Sequence, residues 1–258
     1  MMKKYNLIVL AGGQQQPLCE VTGIENKAQI PIHGKPMIEW VLNAFQASGR
    51  IAETVVAGPR ELEALPCMQH VRKRVHGGAT VLESLMNAVG YVNMGLLPDE
   101  TVHRGYLISF GDAVFLNENT VHAMLKNIDK TEPDIALHYV EKGTYERAGL
   151  PLTRTFIPIG DGLYTGTTIY YIRRFRDLAG FLVQLTQLRK IRKNPAKILK
   201  LLGCEGMSMP EVEARLSEET AARLKLFVLD LPEAGMDVDK PVDLELARKW
   251  LTPSEPVA

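Results

Sequence analysis

Residues 5–13 read Tyr5-Asn6-Leu7-Ile8-Val9-Leu10-Ala11-Gly12-Gly13. From 5 to 11 the run is short and almost entirely apolar, and two glycines close it. A strand with one wet face alternates apolar and polar residues. A strand covered on both faces does not, so this run predicts a first, buried, parallel strand ending in a tight turn. Met1-Met2-Lys3-Lys4 ahead of it superficially resembles the start of a signal peptide. The apolar run is too short for that, and Gln14-Gln15-Gln16 stand where a small-residue cleavage site belongs.

Outward from this strand, helix-like and strand-like segments alternate. Residues 36–48 predict a helix opened by Pro36, with Met37, Ile38, Val41, Leu42 and Phe45 on one face and Gly49 as a stop. Residues 54–57 predict a strand closed by Gly58-Pro59. Residues 80–92 predict a helix with Thr80 and Glu83 at capping-box spacing and Val81, Leu85, Val89 and Val92 at helical period. Strands at 106–110 and 135–140 flank a helix at 119–128 with an Asn cap. A β-branched run at 163–172 is interrupted by Gly166. A strand at 226–229 and a helix at 241–250 follow, and residues 252–258 look frayed. The alternation predicts a three-layer α/β/α domain over residues 1–251, with a mostly parallel mixed sheet covered by helices on both faces. Ligands bind such sheets at the carboxyl ends of strands. That directs attention to the residues after Leu10, after Phe110 and around Gly166.

The 258 residues carry zero formal net charge, so global charge points to neither nucleic acid nor membrane. Cys19, Cys67 and Cys204 have no metal-ligand spacing and read as reduced thiols of a cytoplasmic protein. No stretch approaches the ~20 apolar residues of a membrane-spanning helix. Residues 173–225 stand apart as a helical insertion. Nine Lys or Arg fall between Arg173 and Lys200 against one acid, Asp177, and Phe181, Leu182, Leu185 and Leu188 form a helical stripe. The stripe admits a helix packed on the domain with a solvated basic face, a wall around a phosphorylated acceptor, or a surface for an anionic membrane or a second subunit.

Four constellations carry chemistry. Leu10, Ala11, Gly12 and Gly13 follow the first strand, where backbone N–H groups approach an anion with no Cβ in the way. Lys27, in Asn26-Lys27-Ala28, and Lys35, in Gly34-Lys35-Pro36, are within reach to neutralise phosphates. His76-Gly77-Gly78-Ala79-Thr80 precedes a helix and presents free N–H groups; Thr80 reads equally well as the helix cap. Asp112 ends a buried strand, where a carboxylate can hold a divalent cation between phosphates. Asp237 or Asp239, in Gly235-Met236-Asp237-Val238-Asp239-Lys240-Pro241, can complete that cation site. Asp239 also reads as the cap of the last helix. No Ser/His/Asp or Cys/His set is evident.

These stretches, in this order, resemble the nucleotide-diphospho-sugar transferase fold, and within it the molybdenum-cofactor guanylyltransferase-like branch. That branch opens with Leu-Ala-Gly-Gly, a lysine some fifteen residues on, and Gly-Lys-Pro before an amphipathic helix. The resemblance spans nearly the whole chain apart from the basic insertion. It implies a nucleoside triphosphate and Mg2+, with transfer of NMP to a phosphorylated small molecule and release of pyrophosphate. It assigns Gly78, Thr80 and Ser84 to the base and ribose, Lys27 and Asp112 to catalysis, Asp112 and Asp237 to the metal, and Thr165, Gly166 and Asp239 to the acceptor side. The chain departs from the branch at Gln14-Gln15-Gln16-Pro17-Leu18, where a phosphate-binding arginine is usual. That departure keeps a second expectation open, a nucleotide-binding regulatory protein without turnover. A nucleotide-sugar glycosyltransferase on the same fold is a third.

Overall fold

A computed structural model describes residues 3–12, 17–95, 105–152, 154–174 and 194–252. Gly13, the glutamine run, the apolar stripe of the basic segment and residues 253–258 lie outside the described residues. In chain order the elements are β1 (Tyr5–Leu10), α1 (Pro17–Thr22), β2 (Pro31–Ile32), β3 (Lys35–Pro36), α2 (Met37–Ala47), β4 (Ile51–Gly58), β5 (Lys73–His76), α3 (Val81–Gly95) and β6 (Tyr106–Phe110). They continue with α4 (Glu118–Thr131), β7 (Ile135–Glu141), α5 (Lys142–Arg147), β8 (Ile157–Ile159), β9 (Gly162–Ile172), α6 (Pro195–Leu201), α7 (Met209–Thr220), β10 (Leu224–Leu229) and α8 (Pro241–Trp250).

The main sheet runs β10-β7-β9-β6-β1-β4-β5, with β8 paired to β9. β1 is parallel to β4 and β6, β4 to β5, and β10 to β7. β9 runs against its neighbours β6, β7 and β8. All six residues of β1 are buried, because the sheet is covered twice. Leu7 and Val9 join one core with α2, α4 and α8. Ile8 and Leu10 join another with α3 and with Val212, Leu216 and Leu199 of α7 and α6. The apolar face read for residues 36–48 is the buried face of α2, Met37, Ile38, Val41, Leu42 and Phe45 included.

Three local expectations need correction. The cap of α4 is Asn117, not Asn119. Its side chain accepts from the Thr120 amide, so the helix begins one residue earlier than expected. β9 passes through Gly166 without a break, and a register shift between Leu137 and Tyr139 in β7 absorbs the irregularity. Residues 221–224, read as helix, leave it at Ala221, which adopts φ 49°, and start β10. Besides Leu199 of α6, the described part of the basic segment packs as follows. Arg173 and Arg174 pair with Asp134, and α7 lies against β10 through Val212 and Leu216.

His138 on β7 is 3 % exposed and stacks on Phe227 at 5.1 Å. Burial pulls its pKa down to about 3. The unfolded chain takes up that proton near its ordinary value of ~6.5, so between these values the unfolded state binds more protons. Stability therefore falls as pH drops through the window. In urea titrations at pH 7 and pH 5, His138→Leu is expected to lose less stability on acidification than the unsubstituted chain. Equal losses would show that His138 does not carry the acid slope.

Candidate functional site

The site is built at the carboxyl ends of β1 and β6. Past β1, Ala11 N donates to Ala57 O at 2.8 Å, which holds the loop against β4. The Asn26 side chain then ties two segments together. Its Nδ2 donates to Ala11 O at 2.8 Å, while its Oδ1 accepts from Ala28 N at 2.9 Å. That cap starts a single 3-10 turn, Lys27–Gln29, and places Lys27 directly beneath the β1 loop. Gly111 follows β6, with its N–H on Leu10 O at 3.0 Å. A Cβ at Gly111 would lie 3.0 Å from Ala28 Cβ and 3.1 Å from Ala11 Cβ. The bare backbone is what lets Asp112 approach Lys27.

The third component arrives from far along the chain. The 3-10 turn Pro232–Gly235 lies against β9, and Thr168 Oγ1 donates to Ala234 O at 3.2 Å. A side chain at Gly235 would collide with the Tyr145 hydroxyl and come 3.3 Å from Gly166 O. From this seat the chain passes over Asp112, where Val238 N donates to Asp112 O at 3.1 Å. Asp237 and Asp239 are thereby brought beside Asp112, with carboxylate oxygens of all three within 4.8 Å of one another.

Among the described residues, two cations pair with this acidic trio. Lys27 Nζ donates to Asp239 Oδ1 at 2.6 Å and pairs with Asp112 Oδ2. Lys27 is only 7 % exposed, and burial by itself would lower its pKa. The carboxylates of Asp112 and Asp239 outweigh burial and leave the ammonium well above the ordinary lysine range. Asp237 pairs with Arg154, and Arg154 Nη2 also donates to Asp237 O at 2.9 Å. Burial, with Asp112 and Asp239 adding to it against Arg154, pushes Asp237 up to about 6. Oδ1 of Asp112 is buried and has no hydrogen-bond partner. An oxygen-only donor set with one orphaned buried oxygen fits a hard divalent cation such as Mg2+.

The remaining sequence candidates divide into three groups. Gly12, Gly78, Thr80 and Ser84 form a second cluster above the sheet. A Cβ at Gly12 would lie 3.8 Å from Ser84 Oγ. Ser84 Oγ accepts from Gly78 N at 2.9 Å and donates to Thr80 O at 3.0 Å. Thr80 is the cap of α3: its Oγ1 accepts from Glu83 N at 3.1 Å, while Glu83 Oε2 accepts from Ala79 N at 2.8 Å. Thr165 and Gly166 lie within β9, paired with Val140 and Tyr139. Lys35 stands on the β2–β3 hairpin, 3.9 Å from Glu39 Oε1 and over the Trp40 ring. The N-cap residue of α8 is Lys240, not Asp239. Asp243 Oδ2 accepts the Asp239 and Lys240 amides at 3.2 and 2.9 Å, and the Asp239 carboxylate pairs with Lys27. Arg154 was missed by sequence reasoning, because an arginine in a loop before a three-residue strand has no local signature. The groove lined by Glu63, Pro66, Arg72 and Arg74 contains none of these residues.

The arrangement offers an acidic cluster that could hold a cation, a lysine at its centre, and a backbone cluster at the end of the same sheet. Residues 7–197 match the family model described as MobA-like NTP transferase domain. Among solved structures, a hypothetical transferase from Thermus thermophilus is 28 % identical with TM-score 0.75, covering 93 % of this chain and 99 % of that one. A CMP:2-keto-3-deoxy-manno-octonic acid synthetase complexed with CTP is 19 % identical with TM-score 0.59, covering 95 % and 97 %. A 4-diphosphocytidyl-2C-methyl-D-erythritol synthase from Anaerococcus prevotii is 14 % identical with TM-score 0.56, covering 96 % and 98 %. The last two share the fold. Comparison with curated proteins gives no match. No described helix is long and apolar enough to cross a membrane.

Proposed function

The chain belongs to the MobA-like NTP transferase domain family, and from that premise we propose that this nucleotidyltransferase uses Mg2+ to move NMP from an NTP to a phosphorylated small molecule, releasing pyrophosphate. The observation that carries the reading is the Asp112, Asp237 and Asp239 trio with Lys27 set into it. When bound, Mg2+ would be held by Asp112 with Asp237 and Asp239 and would supply positive charge to the phosphates. The β1 loop, from Leu10 to Gly12 and on to Gly13, and the cluster of Gly78, Thr80 and Ser84 hold the nucleotide by backbone and hydroxyl groups. Lys27 exchanges a carboxylate for a phosphate oxygen and favours the charge that builds on the phosphorus in transfer. An oxygen of the acceptor phosphate attacks the α-phosphorus in line, and the bond from that phosphorus to pyrophosphate breaks. No side-chain nucleophile is required. Thr165 and Gly166 give the acceptor its place on β9. The residues act by orienting two anions and screening their repulsion.

Pyrophosphate release from ATP, GTP, CTP and UTP, each with Mg2+ and a panel of sugar, alditol and nucleotide phosphates, tests this. Release that needs one NTP, one acceptor and the metal is expected. Tight NTP binding with no release across the panel would favour the reading of a regulatory protein, which the missing arginine at 14–18 motivates.

A further inference from the structure

Arg154 lies between α5 and β8 and directs both of its contacts to Asp237. Nη1 pairs with the carboxylate and Nη2 donates to the backbone oxygen. The two side chains are 16 % and 29 % exposed, so the pair is sheltered from water. Asp237 is also one of three carboxylates that converge within 4.8 Å. One prospective cation ligand is thus already engaged by a cation of the protein's own. The guanidinium competes with an incoming metal by its charge. Lys27 serves the other two members of the trio.

Two further observations indicate where the guanidinium goes when Asp237 is taken from it. Ile157, three residues on, pairs with Tyr164, next to Thr165 and Gly166. The Tyr145 hydroxyl is buried without a hydrogen-bond partner and lies within electrostatic reach of both Arg154 and Asp237. A displaced guanidinium and an unused hydroxyl on the β9 side are donors for an anion, and a phosphate matches the fork of an arginine.

We propose that Arg154 is a positioning residue that guards Asp237: it occupies that carboxylate until a divalent cation displaces it, and then turns to an anionic group of the acceptor. This rests on the reading of the trio as a cation site. It makes cation and acceptor binding cooperative, since each favours the same position of Arg154. It also gives the site an arginine for phosphate from the β9 side, although residues 14–18 contain none.

The test uses the full chain, Mn2+ as probe, and electron paramagnetic resonance to count free metal. Without nucleotide, Arg154→Gln is expected to bind Mn2+ roughly tenfold more tightly, with Arg154→Lys between it and the unsubstituted protein. Inorganic phosphate is then titrated onto each protein loaded with Mn2+ and a non-hydrolysable NTP analogue. Arg154→Gln is expected to bind it at least about tenfold more weakly. Unchanged or weaker Mn2+ binding in Arg154→Gln overturns the guarding role, and unchanged phosphate binding overturns the hand-over. Both leave the cation site standing. If Asp237→Asn and Arg154→Gln both bind Mn2+ as the unsubstituted protein does, Asp237 is no ligand and the proposal fails. If no protein binds Mn2+ even with nucleotide, the cation reading fails with it.

Discussion

Asp112→Asn is expected to lower metal-dependent pyrophosphate release by roughly 10^3-fold while leaving the protein folded. The substitution keeps the shape of the side chain and removes only its charge. The loop survives, because Val238 grips the backbone oxygen of Asp112, not its carboxylate, and Gly111 still passes between Ala11 and Ala28. Stability is expected to hold or rise slightly. Among the described residues three carboxylates face two cations, and one of the Asp112 oxygens is buried with no partner. The expected pattern is therefore a thermal midpoint within a few degrees of the starting value beside a collapse in turnover. Turnover within threefold of the unsubstituted enzyme would remove Asp112 from the chemistry.

Lys27→Met is expected to fail on both counts. Catalysis loses the ammonium that screens the reacting phosphates, at a cost of roughly 10^2- to 10^3-fold in kcat/KM. Folding loses the cation between two acids. Breaking a buried ion pair costs about 3–5 kcal/mol. Asp239 is 53 % exposed and solvates part of its charge, so about 2–3 kcal/mol is the reasonable range. Adding Asp239→Asn should return part of that stability without returning activity, as a double-mutant cycle would show. The stability deficit should also shrink in alkali, because the raised pKa of Lys27 makes its contribution complete below the ordinary lysine value of ~10.4 and lets it fade as pH rises above that. A deficit independent of pH would mean that Lys27→Met acts through lost packing and not through charge.

Much of this was legible in the sequence, for physical reasons that also mark where legibility ended. β1 and β6 are covered on both faces, so each writes itself as an apolar run with a glycine after it. α2 and α3 bury one face each, and their period shows. β5 is an edge strand, Lys73-Arg74-Val75-His76, with a single apolar residue and thus no run to detect. β2, β3 and β8 are two or three residues long, too short for any period. The direction of β9 is a property of the whole sheet and has no local sign. Lys27, Asp112, Asp237 and Asp239 could be singled out as candidates because strand ends and glycines mark where a ligand can approach and because their motifs follow the order of the resembling branch. What joins them, the Asn26 cap and the Val238 amide, is made of long-range bonds between ordinary residues. Arg154 owes its place to such contacts alone.

The ion pair of Lys27 with Asp239 joins residues 212 positions apart. Lys27 leaves the ribosome 212 residues ahead of its second partner. Until then the Asp112 loop also lacks the amide of Val238 that is to lie on it. A nascent chain can bury β1 against β4 and β6 well before it owns a complete acidic trio. Burial of these strands and completion of the trio are therefore separated in synthesis: a chain stopped between β6 and Asp239 holds β1, β4 and β6 but lacks a member of the trio. Closing so long a loop costs little more entropy than closing a medium one, so the delay is one of synthesis rather than of stability.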